Sequence, residues 1–146
     1  MPVIEVKGDL LASDADVIAH SANCFCTFGA GIARAIKQKY PEAYAVDCAT
    51  RSGDRDKLGH FSKAELPGIT VYNLYSQYHY DSTTRQVHYE ALYQSLRRMK
   101  QDLQTTDYQK LAIPFLSSGL AGGDWNIVKA MVESVFKTET IKAYYL

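Results

Sequence analysis

No stretch of this sequence approaches the roughly 20 apolar residues that a membrane-spanning helix needs. The N-terminal run MPVIEVKGDLL carries an acid at Glu5 and lacks a basic region followed by an apolar core, so it does not read as a signal peptide. There is no surplus of either charge: 16 Lys and Arg balance 16 Asp and Glu. A duplex-binding protein draws its affinity from phosphate neutralisation and shows a basic excess. Nucleic acid is therefore disfavoured as a partner, and the local cluster Arg97, Arg98 and Lys100 reads as a solvated helix face. Cysteine is scarce, with only Cys24, Cys26 and Cys48. An odd count argues against a disulfide framework and for a reducing compartment, so three free thiols are expected. Cys24 and Cys26 form a C-x-C pair with no second pair to complete a zinc site, and no metal is expected. These absences together point to a soluble, cytoplasmic protein with no membrane partner.

What is present suits one domain spanning residues 1–146. Hydrophobic residues make up 47% and charged residues 22%, a globular balance that excludes disorder over most of the chain. Val3 to Val6 and Val17 to His20 are rich in β-formers and read as strands. Gly29-Ala30-Gly31 opens a helical spacing through Ile32, Ala35, Ile36 and Tyr40. Pro41 fits the first turn of a second helix, running to about Ala49, because its missing N–H costs little there. Leu58 to Leu66 reads as a weak edge strand, and Pro67-Gly68 as a turn. Ile69 to Tyr75 is a central strand, followed by a tyrosine-rich loop over Gln77 to Gln86. Val87, Leu92, Leu96, Met99 and Leu103 set a third helix. Lys110 to Leu116 is a strand. Asp124 looks like the N-cap of a last helix, and Ile141 to Leu146 closes the chain as a strand. This alternation implies α/β architecture, a mixed sheet with helices on both faces.

Ligands in such folds sit beyond the carboxyl ends of the strands. Two loops fall there. The first, Asn23 to Ala33, joins a strand to a helix N-terminus, where glycines admit close approach and free N–H groups attract anions. The second, Ser117-Ser118-Gly119-Leu120-Ala121-Gly122-Gly123, has five Gly or Ser among its seven residues. Two such loops at equivalent ends of one sheet suggest a diphosphate clamp. Asp9 follows the first strand, where a carboxylate either accepts from an adenine amino group or caps a turn. His20 ends the second strand. Imidazole titrates near neutrality, which makes it a candidate general acid or base, against the bland reading of a packed strand residue.

Lys7-Gly8-Asp9-Leu10, Ile18-Ala19-His20-Ser21-Ala22-Asn23 and Gly29-Ala30-Gly31-Ile32-Ala33 resemble the N-terminal half of a macrodomain. Pro114 through Trp125 resembles its second ligand loop. Within that family the sequence is most similar to the branch holding ADP-ribose-1″-phosphate phosphatases and the terminal ADP-ribose glycohydrolase. The resemblance implies a three-layer α/β/α fold with a central mixed sheet, and a monomer that binds ADP-ribose or ADP-ribose-1″-phosphate without a cofactor. By position, Asp9 would hold the adenine amino group, Leu10 would line its pocket and Tyr144 would wall it. Asn23 would face the distal ribose, with Gly29, Ala30, Gly31 and Ile32 wrapped around that ribose and a phosphate. Ser117, Ser118, Gly119, Leu120, Ala121 and Gly122 would hold the diphosphate. Where the glycohydrolase carries a lysine and an aspartate, this sequence has Gln77 and Ala121, so a covalent lysyl intermediate cannot form. The implied activity is hydrolysis of ADP-ribose-1″-phosphate, with His20 and Asp124 as candidate catalytic residues. Removal of ADP-ribose from a macromolecule, and simple binding, are the alternatives.

Overall fold

A computed structural model of the protein describes residues 3–79, 88–117 and 122–146. Among these residues six strands form one sheet in the order β1-β6-β5-β2-β4-β3. They are β1 (Val3–Lys7), β2 (Val17–Ala22), β3 (Phe61–Leu66), β4 (Ile69–Tyr75), β5 (Leu111–Pro114) and β6 (Ile141–Tyr145). Five strands run parallel, and β3 pairs antiparallel with β4 through a tight turn at Pro67-Gly68. The sheet is the mixed one expected, with the weak strand at its edge.

Among the described residues four helices cover it: α1 (Gly31–Lys39), α2 (Pro41–Cys48), α3 (Tyr89–Leu103) and α4 (Trp125–Val135). α1 and α2 pack one face through Ile36 and Ala43, against Ile18, Ala22, Val71 and Tyr75. α3 and α4 pack the other through Leu92, Leu96, Met99, Val128 and Val132, against Ala19, Tyr72, Leu74 and Ile113. The result is the three-layer α/β/α arrangement that the resemblance implies. Pro41 sits at the start of α2, and the Asp124 carboxylate accepts from the Asn126 N–H at 2.9 Å, capping α4. Two single-turn 3-10 helices, Leu10–Ala12 and Arg55–Lys57, have no apolar periodicity and escape sequence reading. No helix among the described residues is long and apolar enough to cross a membrane.

One expectation is overturned. Cys26 and Cys48 are joined by a disulfide, and only Cys24 is a free thiol. They are 22 residues apart in sequence, but α2 folds back over the first loop and brings its last residue beside Cys26. The cysteine count does not contain that path.

Candidate functional site

Because β1, β2, β4, β5 and β6 are mutually parallel, their carboxyl ends share one edge of the sheet. A cleft of about 650 Å³ opens there, lined by Ser21, Ala22, Asn23, Thr27, Gly29 through Ala33, Gln77, Pro114, Phe115 and Ser117. That volume lies within the ordinary range for a small-molecule site. Its position, beyond the ends of β2, β4 and β5, is where open α/β sheets receive ligands.

The first loop is held from within. The Asn23 amide donates to Thr27 O at 3.1 Å and to Thr27 Oγ1 at 2.7 Å, and its Oδ1 accepts from the Phe25 N–H at 2.8 Å. Gly31 has φ +58°, a left-handed backbone that favours glycine, and a Cβ at Gly29 or Gly31 would meet nothing within 4 Å. The space over this backbone is open. No side chain caps α1, whose N-cap is Ala30. The first amides of the helix therefore remain to be satisfied by solvent or an anionic ligand.

Three hydroxyls cluster at the floor, those of Ser21 and Ser117 in the lining and that of Ser76 buried behind them. Ser21 Oγ lies 2.6 Å from Ser117 Oγ, and Ser76 Oγ lies 3.2 Å from it. They come from β2 and from the residues just after β4 and β5. Ser117 has φ +58°, and its carbonyl accepts from the Gly123 N–H at 2.7 Å. That bond ties together the two described ends of the second loop. Ser118, Gly119, Leu120 and Ala121 lie outside the described residues, as does the stretch 80–86 of the tyrosine-rich loop.

His20 is fully buried and does not line the cleft. Its Nε2 donates to Asn73 Oδ1 at 2.6 Å, and its ring meets Phe28 edge-on at 5.1 Å. Burial pushes its pKa down to about 4. The ring heads a directed chain beneath the floor. Asn73 Nδ2 donates to Ser62 Oγ at 3.0 Å, Ser62 pairs with Tyr75 Oη at 2.8 Å, and Tyr75 donates to Asp47 Oδ1 at 2.5 Å. Burial raises the Asp47 pKa, while the Tyr75 hydrogen bond opposes the shift. Asp124 is exposed, engaged as a helix cap and outside the cleft lining.

Asp9 and Leu10 follow β1 and Tyr144 lies on β6, at the same sheet edge, with β6 next to β5. The Asp9 carboxylate accepts from the Leu11 N–H at 2.9 Å and stays exposed. Leu10 is buried in the core beneath α1, and a Cβ at Gly8 would stand 3.8 Å from the Tyr144 ring. Asn23, Gly29, Ala30, Gly31, Ile32 and Ser117 all line the cleft. Gly122, with φ +75°, begins the far end of the second loop. Sequence reading did not single out Ser21, Thr27, Ala33, Pro114 or Phe115 as wall residues. Gln77, noted only for the lysine it replaces, is part of the wall, with its Nε2 donating to His79 O at 2.9 Å. Among the described residues, no titratable side chain lines the cleft, and no group of His, Cys, Asp and Glu side chains could hold a metal ion.

The parallel strands of a mixed sheet, a glycine loop entering an uncapped helix and a second loop after β5 share this edge, and the macro domain family model matches residues 19–132. This chain belongs to the macro domain family. The macrodomain is 30% identical over 138 residues to the ADP-ribose glycohydrolase OARD1 of Homo sapiens, covering 94% of this chain and 86% of that protein. It is 49% identical to the ADP-ribose 1″-phosphate phosphatase of Aspergillus oryzae, but over 43 residues, 29% of this chain and 21% of that one. Its fold matches Thermosipho africanus DarTG in complex with ADP-ribose with a TM-score of 0.79 at 18% identity, over 97% of this chain and 41% of that one.

Proposed function

We propose that this macrodomain binds ADP-ribose in the two-loop cleft and hydrolyses a derivative substituted on the distal ribose, with ADP-ribose-1″-phosphate the candidate substrate. The observation that carries the reading is the cleft itself: about 650 Å³, floored by hydroxyls and edged by the uncapped amides of α1. A diphosphate is well served by such a site, since backbone N–H groups and a helix N-terminus stabilise anions without a bound cation. Asn23, Gly29, Ala30, Gly31 and Ile32 would take the distal ribose and a phosphate, and the loop from Ser117 to Gly122 the diphosphate. Asp9 and Tyr144 would take the adenine at the β1–β6 end of the same edge. Hydrolysis would proceed by attack of water on phosphorus, with loop N–H groups stabilising the charge that develops. His20 is out of reach of a ligand in the cleft, so its part would be to fix the floor from beneath.

A second reading has its own support. The human relative named a glycohydrolase matches 94% of this chain, while the phosphatase match covers 29%. Removal of ADP-ribose from a macromolecule would use the same cleft, with water activated without a lysine because Gln77 occupies that part of the wall.

Isothermal titration with ADP-ribose, followed by phosphate release from ADP-ribose-1″-phosphate, tests the proposal in two steps. Binding with phosphate release supports it whole. Binding with no release, but with loss of ADP-ribose from a modified protein or nucleic acid, moves the activity to the second reading. Binding with neither leaves a recognition module, and no binding at all overturns the proposal.

A further inference from the structure

We propose that Cys26 and Cys48 form a reversible thiol–disulfide pair whose oxidation by a low-molecular-weight disulfide fastens the first cleft loop onto α2 and tightens ligand binding. The functional arm rests on the ADP-ribose reading above. Cys26 lies inside the first loop, one residue before Thr27, whose carbonyl and hydroxyl hold the Asn23 side chain. Cys48 is the last residue of α2. Closing the bond encloses Thr27, Gly29, Gly31 and Ile32 of the cleft wall, together with all of α1, in one covalent ring.

The far anchor of that ring is rigid. Asp47, next to Cys48, is fully buried and takes the Tyr75 hydroxyl at 2.5 Å. The Thr50 hydroxyl donates back to Asp47 O at 2.5 Å, closing the end of α2. A disulfide from Cys48 therefore transmits the position of a fixed helix end to a loop that also meets α2 at Tyr44, whose hydroxyl donates to Cys26 O at 3.2 Å and whose ring meets Phe28 edge-on at 5.2 Å. Because those contacts survive reduction, opening the bond loosens the loop without releasing it.

The pair is also chemically accessible. Cys48 is exposed and Cys26 half-buried, and exposed disulfides are the labile ones. Cys24 is buried with its thiol directed at Gln77 O, 3.6 Å away, and burial raises its pKa, so it does not compete. Oxidation would begin with the Cys48 thiolate attacking one sulfur of oxidised glutathione, expelling one glutathione thiolate and leaving a mixed disulfide. The Cys26 thiolate then attacks the Cys48 sulfur and expels the second. Two electrons pass from the cysteine pair to oxidised glutathione, and the two thiol protons end on the two glutathione molecules formed.

The test compares the whole protein equilibrated with oxidised glutathione, the same protein reduced, and Cys48→Ser under both treatments. Peptide mass mapping is expected to find a Cys26–Cys48 bond only after oxidation. The oxidised protein should bind ADP-ribose roughly three- to tenfold more tightly, the scale on which ordering one loop beforehand acts. Cys48→Ser should bind like the reduced protein and ignore the oxidant. Equal affinity in the two states of the wild type, a bond to Cys24, or a pair that reducing agent cannot open overturns the proposal. If ADP-ribose binds in neither state, the functional reading fails on its own. Amide hydrogen exchange over residues 26–33 then decides the switch: faster exchange after reduction upholds it and unchanged exchange removes it.

Discussion

His20 and Ser21 are neighbours in β2 and face opposite layers. His20 points toward α1 and α2 and starts a chain that reaches Asp47 through Asn73, Ser62 and Tyr75. Ser21 points the other way and meets Ser117, whose hydroxyl also lies against Ser76 at the cleft floor. The first network is buried and joined by side-chain hydrogen bonds, with His20 Nδ1 and Asp47 Oδ2 left without a partner among the described residues, and the lower pKa of the imidazole reflects its burial. The second has an open cavity above it. The difference teaches that, at the end of a strand, parity decides which polar residue meets ligand and which supports the floor.

The largest effect is expected beneath the floor. Asn73→Leu strands the His20 Nε2–H in the core and takes the Asn73 amide from Ala43 O and from Ser62, which keeps only Tyr75. Losing those partners should cost about 3 kcal/mol in urea or thermal unfolding. ADP-ribose affinity of the folded fraction should change little by comparison. A large loss of affinity with normal stability would put this network in the ligand site and dissolve the contrast.

The same side of β2 should govern stability at acid pH. The folded His20 titrates at about 4, below its ordinary value of about 6.5. Between those values the unfolded chain binds the proton that the folded protein excludes. Stability is therefore complete above about 6.5 and falls as pH drops toward 4, by up to about 1.4 kcal/mol per pH unit. His20→Phe should flatten that slope, measured by urea unfolding across the window. An unchanged slope in the variant would assign it to other groups.

The sequence carried the order of all ten main elements, because apolar spacing, Pro41, Pro67-Gly68 and Asp124 act locally. It also carried the two loops, since glycine and serine cluster where backbone must approach a ligand. It did not carry the parity of β2. Val17 through Ala22 lie in a strand covered by helices on both faces, so apolar residues fall on both and no alternation separates them. His20 therefore looked as near to the ligand as Ser21. The bond between Cys26 and Cys48 was hidden for another reason: it depends on α2 doubling back, a tertiary event that spacing does not encode.

Smaller effects belong to the upper side. Gly31→Ala places a side chain at φ +58°, which should cost about 1–2 kcal/mol of stability. It should also weaken ADP-ribose, because the new methyl enters the open space over the loop. Full affinity in this variant, by calorimetry, would move the ligand away from α1. Ser21→Ala removes one hydroxyl beside the cavity and should cost under about 1.5 kcal/mol of stability, with affinity altered by a similar amount. A loss as large as that of Asn73→Leu would show that the serine cluster is as buried in its energetics as the histidine network.

Backbone NMR of isotope-labelled protein titrated with ADP-ribose tests the central claim most directly, because it reads the cleft residue by residue. The account predicts shifts concentrated in the amides of Asn23 through Ala33 and of Ser117 and Gly122, with the His20 side chain nearly unmoved. Shifts centred on another face of the sheet, or none under saturating ligand, would contradict it.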